Sequence, residues 1–447
     1  MDGTYLTKEK TQKYADLVRK YATIDGDLYS KYNVKRGLRN ADGTGVLVGL
    51  TTVGEVTGYA VVDSEKLPIP GKLSYRGREI RDIINHLNGM RYSFESIIYL
   101  LLFSEKPEGG EFEEFCKLIA DLRELPEGFT EDMILKCPSS NIMNKLGRSI
   151  LTLYSYDPDP DNTSVENVVK QALAIIARLS VVAAYGYQAK KHYYDNKSLV
   201  LHRNMKNYSI AENFLHLIRD DGTFTELEAQ VLDLMLVLHA DHGGGNNSTF
   251  TTHVVTSSGT DIYSAIAAAI GSLKGPRHGG ANIKVVEMIE NLLDTVDDPS
   301  DEAKIEQYLR DVLAKKANDK SGLVYGMGHA VYTVSDPRTE LLREKAKELA
   351  KEKGELALKM FDIYSAVERL TPCILNEKTQ KSICANVDLY SGFVYQMLNI
   401  PKDLFTPLFA ISRVAGWCAH ALEENLVGGR IMRPAYKSVS PKKHYSE

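Results

Sequence analysis

TELEAQVLDLMLVLHADHGGGN, residues 225–246, carries the rhythm that most of this chain follows. Thr225 and Glu228 stand three apart, the capping-box spacing in which a hydroxyl and a carboxylate satisfy free amides at a helix start. Leu227, Val231, Leu234 and Leu238 recur at three- and four-residue steps, which puts them on one helix face. Gly243 to Gly245 then end the element. Outward from here the same pattern returns. Thr406 with Pro407 predicts another helix start, because proline's missing N–H costs nothing in a first turn. Residues 337–353 predict a charged helix with Leu341, Leu342, Lys345 and Leu349 along it, its alternating charges forming a solvated face. Residues 264–273 predict a buried helix that breaks at Gly275-Pro276, and a new helix starts near Gly280. Strand signals are sparse. Residues 45–62, rich in Val, Thr and Gly, and 72–75, after a proline-rich turn at 67–71, predict small N-terminal hairpins. No strand–helix alternation recurs, which argues against a doubly wound α/β fold. No solenoid-period repeat is present. The fold class expected is mainly α.

The chain has 447 residues, 43% hydrophobic and 25% charged, the balance of a soluble globular protein. Its formal net charge of −5 argues against sequence-independent nucleic-acid binding, which needs clustered Lys and Arg. Cys116, Cys137, Cys373, Cys384 and Cys418 are odd in number and lack C-x-x-C spacing, so reduced thiols in a cytoplasmic setting are expected. The N-terminus is polar and has no apolar core of a secretory signal. Apolar runs such as residues 262–273 fall short of the ~20 residues a membrane helix needs, so no membrane association is expected. Arg430, Arg433, Lys437, Lys442 and Lys443 form a basic tail, read from its charge as a solvated end.

Chemistry-bearing residues cluster in six places. His239 and His242, three apart at a helix end, lack the glutamate and the four-residue step of H-E-x-x-H, so zinc is not expected. His242 continues the apolar face of Leu238 and suits a core histidine; a donor facing a cleft is the alternative. His278, between Gly275-Pro276 and Gly279-Gly280, falls at a helix N-terminus, where the dipole disfavours positive charge. A neutral imidazole there can donate to an oxygen that is becoming an enolate; the plainer reading is a turn histidine among glycines that serve geometry. Gly326-Met-Gly328-His329 lacks the third glycine of a dinucleotide loop and the Lys-Ser/Thr of a P-loop, but its glycines can expose amides to a ligand. Asp336-Pro337-Arg338 reads as a helix start. Asp388 follows Asn386 in a stretch short of charge and is either a cap or a base. Phe409 and Arg413 share a face of an apolar helix, and a guanidinium there wants an anionic partner.

Together these segments resemble the citrate synthase family. The signatures read HADHGGGNNS (239–248), GPRHGGAN (275–282), YGMGHAVYTVSDPR (325–338), NVDLYSG (386–392), FAISR (409–413) and RIMRP (430–434). Six motifs in order span most of the chain from about Val46 onward. The resemblance implies condensation of acetyl-CoA with oxaloacetate, a reaction of the tricarboxylic acid cycle, followed by hydrolysis of the citryl thioester. His278, His329 and Asp388 are then catalytic: His278 steadies the acetyl-CoA enol, Asp388 removes the methyl proton and His329 polarises the oxaloacetate carbonyl. His242, Arg338 and Arg413 hold oxaloacetate, and Arg433 reaches into a partner subunit's site, which implies a homodimer or larger homo-oligomer. Ser248 orients His278, Asn246 holds a water and Phe409 packs on product. Backbone at Leu323, Val324, Tyr325, Gly326, Met327 and Gly328 meets the CoA adenine, and Lys381 a CoA phosphate. No metal or cofactor is implied, because imidazole donors do the polarising.

The implied fold is a two-domain helical one with small N-terminal β-hairpins. Residues 1–280 form the first part of a large domain, 281–399 a small domain, and 400–447 return to the large domain, its tail reaching the partner. Closure of the two would exclude water during condensation. Three rivals remain. One is a 2-methylcitrate synthase that takes propionyl-CoA on the same scaffold. Another is a non-catalytic relative, disfavoured by the intact His278, His329 and Asp388. The last is a metal-dependent hydrolase built on the histidines.

Overall fold

A computed structural model of the chain describes residues 7–40, 42–62, 65–107, 110–379 and 383–441. It falls into two compact units, Met1–Leu50 and Thr51–Glu447. In the first, α1 (Lys8–Tyr21) starts where the Thr7 side chain accepts the Lys10 amide, and α2 (Asp27–Lys31) follows with no buried residue.

The second unit is helical around a small sheet of β1 (Gly54–Val62), β2 (Glu65–Tyr75) and β3 (Arg78–Glu79), antiparallel in the order β1-β2-β3. There follow α3 (Ile80–Leu87), α4 (Ser93–Phe103), α5 (Gly110–Leu122), α6 (Ile142–Leu153), α7 (Val165–Asp195), α8 (Ile210–Ile218), α9 (Glu226–His239), α10 (Asn247–Thr256) and α11 (Ile262–Lys274). Then come α12 (Ala281–Thr295), α13 (Glu302–Leu313), α14 (Pro337–Lys353), α15 (Glu355–Thr379), α16 (Asp388–Met397) and α17 (Phe405–Val427). The mainly α fold class, with strands only near the N-terminus among the described residues, is as the sequence predicts.

The capping box of α9 forms, with Thr225 and Glu228 each accepting the other's amide. The helix ends at His239, however, so His242 lies beyond it rather than on its apolar face. The residues predicted as a turn, 67–71, belong to β2: Leu67 pairs with Ala60 and Pro68 with Tyr59. Proline is tolerated because β3 pairs only with Ser74 and Tyr75, so that no strand pairs with the far edge of β2 at Pro68 and Pro70; next to them the Gly71 amide donates to Ser335 O at 3.0 Å. Helix α17 begins at Phe405, a residue before the predicted start, and Thr406 Oγ1 donates to Gly279 O at 2.9 Å instead of capping. Helix α14 begins at Pro337, with the Asp336 side chain accepting the Arg338 amide.

One helix departs from the expectation that no apolar segment could reach membrane length. Helix α7 has 31 residues and a mean hydropathy of 1.6 over its most apolar window, with 72% of that window buried inside the protein. It packs on α5, α6, α8 and α17. The residues that make it apolar, among them Leu179, Val181 and Val182, are fully buried. Its length serves a core that wraps it on several sides. Helix α17 is the other spine, packed on α4, α7, α9, α10 and α11. It brings Arg413, Trp417 and His420 to the turn after α9, where Tyr75 OH, at the end of β2, donates to Val237 O at 3.0 Å.

Candidate active site

Four loop-to-helix junctions of the second unit supply the site: the turn after α9, the turn before α12, the loop before α14 and the start of α16. Helix α17 lies behind them.

His278 sits in the turn between α11 and α12. Its Nε2 lies 2.9 Å from Ser248 Oγ and 3.3 Å from the Ser248 amide nitrogen. An amide N–H can only donate, so Nε2 is the acceptor and the ring proton is on Nδ1. Ser248 is in turn fixed by Trp417 Nε1, which donates to Oγ at 3.1 Å. Burial and then the Arg413 charge push the His278 pKa down to about 4, so the ring is neutral near pH 7. The sequence reading expected a neutral ring from the helix dipole; here burial and the Arg413 charge are the causes.

His329 is held from the other side. The amides of Val331 and Tyr332 both donate to its Nδ1 at 3.1 Å. The proton of the neutral ring therefore belongs on Nε2. Tyr332 stacks on this ring at 4.7 Å and 22°, and the His242 ring meets it edge-on at 5.1 Å. His242 Nε2 is buried and has no hydrogen-bond partner among the described residues. Burial, then the charge of Arg338, hold its pKa well below the ordinary range. A buried polar atom left unmatched carries a cost that a ligand can remove.

Asp388 is the first residue of α16. Burial raises its pKa to about 6, against the pull of Arg338. Its amide donates to Asn386 Oδ1 at 3.0 Å. Asn386 also joins this helix start to the His329 loop: its amide donates to Gly326 O at 2.9 Å, and its Nδ2 to Gly328 O at 2.7 Å. The Gly328 amide donates to Cys384 O at 2.8 Å. His329 and Asp388, 59 positions apart by subtraction, thus hang from one latched pair of loops.

The two buried arginines of the site differ. Arg338 gives Nε and Nη2 to Asp336 at 3.0 and 2.7 Å, which leaves Nη1. Arg413 is 1% exposed. Its Nε donates to His239 O at 2.7 Å, and its two Nη groups make no hydrogen bond among the described residues. Its Cζ lies 4.7 Å from the Phe409 ring centre, and that ring touches His239 and His278 edge-on. Burial lowers the Arg413 pKa to about 10, opposed by the Asp241 charge. Its charge bears on His242, His278 and Asp388 alike. A buried guanidinium with two Nη groups not hydrogen-bonded to the described residues, beside neutral imidazoles and a protonatable carboxyl, is a binding place for an anion next to acid–base groups.

The remaining expected residues are placed less centrally. Asn246 caps α10, and its amide is taken up by Gly243 O, Thr249 and Ser248. In the 323–328 loop the amides of Leu323, Met327 and Gly328 are already bonded within the protein. Arg433 lies exposed in a tail without regular secondary structure. Lys381, Lys442 and Lys443 fall outside the described residues. The sequence reading missed Asp336 as the partner of Arg338, Tyr332 as the platform for His329, and Asn386 as the latch. A carboxylate two residues before a buried arginine was the available signal for the first. A separate cavity of about 690 Å³ lies between β2 and α3 to α5, lined by Lys72, Arg78, His86 and Phe112, and none of the described candidate residues borders it.

Comparison with known proteins bears on this arrangement. The profile described as citrate synthase, C-terminal domain, matches residues 42–435. The citrate synthase of Haloferax volcanii is 33% identical over 407 residues, 90% of this chain and 94% of that one.

The chain belongs to the citrate synthase family.

It is an enzyme of the citrate synthase type, an acyltransferase. Relatives of two kinds match it. The 2-methylcitrate synthase of Shewanella oneidensis is 30% identical over 373 residues, 83% of this chain and 90% of that one. Among solved structures, citrate synthase from Pyrobaculum aerophilum superposes with a TM-score of 0.73 at 29% identity, covering 92% of this chain and 93% of that one. The ternary complex of carboxymethyl coenzyme A and oxaloacetate with citrate synthase from Thermoplasma acidophilum gives 0.75 at 26%, covering 92% and 97%.

Proposed function

We propose that this family member is a citrate synthase, condensing acetyl-CoA with oxaloacetate and hydrolysing citryl-CoA to citrate and CoA. The observation that carries the reading is Arg413, a buried guanidinium with free Nη groups beside neutral His278 and His242. In this reading Arg413, the free Nη1 of Arg338 and the unmatched Nε2 of His242 take the carboxylates and keto group of oxaloacetate. Asp388 takes a methyl proton of acetyl-CoA while Nδ1–H of His278 donates to the thioester oxygen, so that an enol forms rather than a free carbanion. The enol carbon bonds to the ketone carbon of oxaloacetate. His329, through Nε2–H, donates to the oxygen that gains charge. Water then cleaves the thioester, giving citrate and the CoA thiol. Phe409 packs on product, residues 323–328 and Lys381 meet CoA, and Arg433 serves a partner subunit's site in a homodimer. The solved relative bound to oxaloacetate and a coenzyme A analogue supports these substrates.

A 2-methylcitrate synthase is the second reading, favoured by the relatives of that name. One methylene is worth only about 1–3 kcal/mol in a pocket, so an assay must separate the two. CoA release is followed with a thiol reagent, using acetyl-CoA or propionyl-CoA with and without oxaloacetate. Oxaloacetate-dependent release with higher kcat/KM for acetyl-CoA is expected. Higher kcat/KM for propionyl-CoA moves the assignment to 2-methylcitrate synthase, and no release with either overturns both.

A further inference from the structure

Behind the candidate site runs a row of titratable side chains that the chemistry above does not use. Glu424 Oε2 lies 2.8 Å from His253 Nδ1, His253 Nε2 lies 3.2 Å from His420 Nδ1, and His420 Nε2 lies 3.1 Å from Asp241 Oδ1. The Glu424 side chain keeps 14% exposure, whereas those of His420 and Asp241 have none. The row therefore leads from near the surface to the residue that precedes His242.

Asp241 is fitted from several directions. Its Oδ2 accepts the Gly243 amide at 2.8 Å, closing the turn that carries His242. A Cβ at Gly54 would stand 2.1 Å from Oδ2, and one at Gly416 would stand 2.7 Å from Oδ1. Two elements, β1 and α17, thus leave room for this one carboxylate. Its charge also supports that of Arg413, whose burial disfavours it.

The protons can be counted. An ionised carboxylate only accepts, so Glu424 takes a bond from His253 and Asp241 one from His420. The link between the two rings needs a further N–H. Three bonds need three protons, and two neutral imidazoles bring two. The row is complete only when the His253–His420 pair holds one extra proton. Around that pair, Asp241, Glu424 and Glu423 (its Oε2 is 3.9 Å from His420 Nδ1) favour the proton. At His253, burial and then the charge of His420 oppose it. Thr51 Oγ1 lies 3.4 Å from His420 Nδ1 and can take the place of a lost ring contact.

We propose that this row is a proton-bearing brace, in which Asp241 is a positioning residue for Arg413 and His242, and that affinity for the 2-oxo dicarboxylate falls when the His253–His420 pair gives up its extra proton. The proposal rests on the reading of Arg413 and His242 as the oxaloacetate pocket. The test is calorimetric titration of oxaloacetate into the full-length protein from pH 5 to 9, for the wild type, His253→Gln and Glu424→Gln, with turnover measured in parallel. In the wild type, Kd should rise roughly ten-fold across one proton's titration, the value of one charge-assisted hydrogen bond. His253→Gln should remove that transition, and Glu424→Gln should move it to lower pH. Superimposable Kd–pH curves for the three proteins overturn the proposal. If His253→Gln does not fold, Glu424→Gln at the partly exposed end decides alone, an unshifted transition overturning the proposal. Oxaloacetate binding with the expected pH response but no turnover upholds the brace and defeats the proposed function, and no binding at any pH defeats both.

Discussion

Asp388 is a carboxyl group held where its charge is poorly solvated. Burial lifts its pKa from the ordinary 3.8 to about 6. The folded-state value lies above the unfolded one, so its contribution to stability is fully present below pH 3.8 and is lost as pH rises through about 6. At pH 7.5 the ionised group costs the fold about 3 kcal/mol. Replacing Asp388 with Asn should raise the urea midpoint at pH 7.5 while kcat falls by about 10²–10⁴-fold, the usual worth of a general base. An unchanged or lowered midpoint in the folded variant would show that burial does not burden this carboxylate. In the wild type, kcat/KM should rise with pH along a limb centred near 6, because Asp388 must lose its proton to act, whereas His278, with a pKa of about 4, is already neutral there. At this scale the sequence was a partial guide. The glycines and the helix break around His278 announced a turn and a neutral imidazole, but the causes of that neutrality, burial and the charge of Arg413, lie far away in the chain. The unmatched Nη groups of Arg413 and Nε2 of His242 were not readable, since whether a polar atom finds a partner depends on residues far away in the chain.

Elements were legible where their signals are local. Thr225 and Glu228, or Asp336 and Pro337, lie within a turn of the helices they start. Residues 67–71 of β2 were read as a turn because Pro68 and Pro70 forbid a central strand, whereas 72–75 were read as strand, and only the sheet order shows that no strand pairs with the prolines' far edge. Helix α7 was not singled out from the sequence, since its apolar core is interrupted by polar residues whose side chains the neighbouring helices accept. Gln188, for instance, donates to Leu217 O and Ile218 O. Packing between elements makes its own prediction. Helix α17 approaches the turn after α9 so closely that a Cβ on Gly416 would stand 2.5 Å from Ala240 O. That atom is buried backbone and has nowhere to go. Gly416→Ala should therefore destabilise the protein by about 1–3 kcal/mol, as overpacked cores do, and raise KM for oxaloacetate more than KM for acetyl-CoA. Equal changes in both constants would mean that the clash is relieved away from Asp241.

For the molecule as a whole, the proposed homodimer can be tested through Arg433, which is exposed on this chain. If its guanidinium serves a neighbouring subunit, Arg433→Ala and His278→Ala proteins should each be inactive, and mixing them under subunit exchange should restore up to about one quarter of wild-type activity, because half the dimers are hybrid and each holds one intact site. Mixtures no more active than their parts would place Arg433 in its own subunit's site or in none. The latched loops carry a mechanical consequence. Since Asn386 and Gly328 tie the two strands of backbone together, His329 and Asp388 form one lever arm. Any hinge motion of the protein can vary the gap between that arm and His278, yet it cannot vary the gap within the arm. In the proposed reaction the donor to one substrate and the base for the other would therefore arrive together, like two teeth cut on the same key.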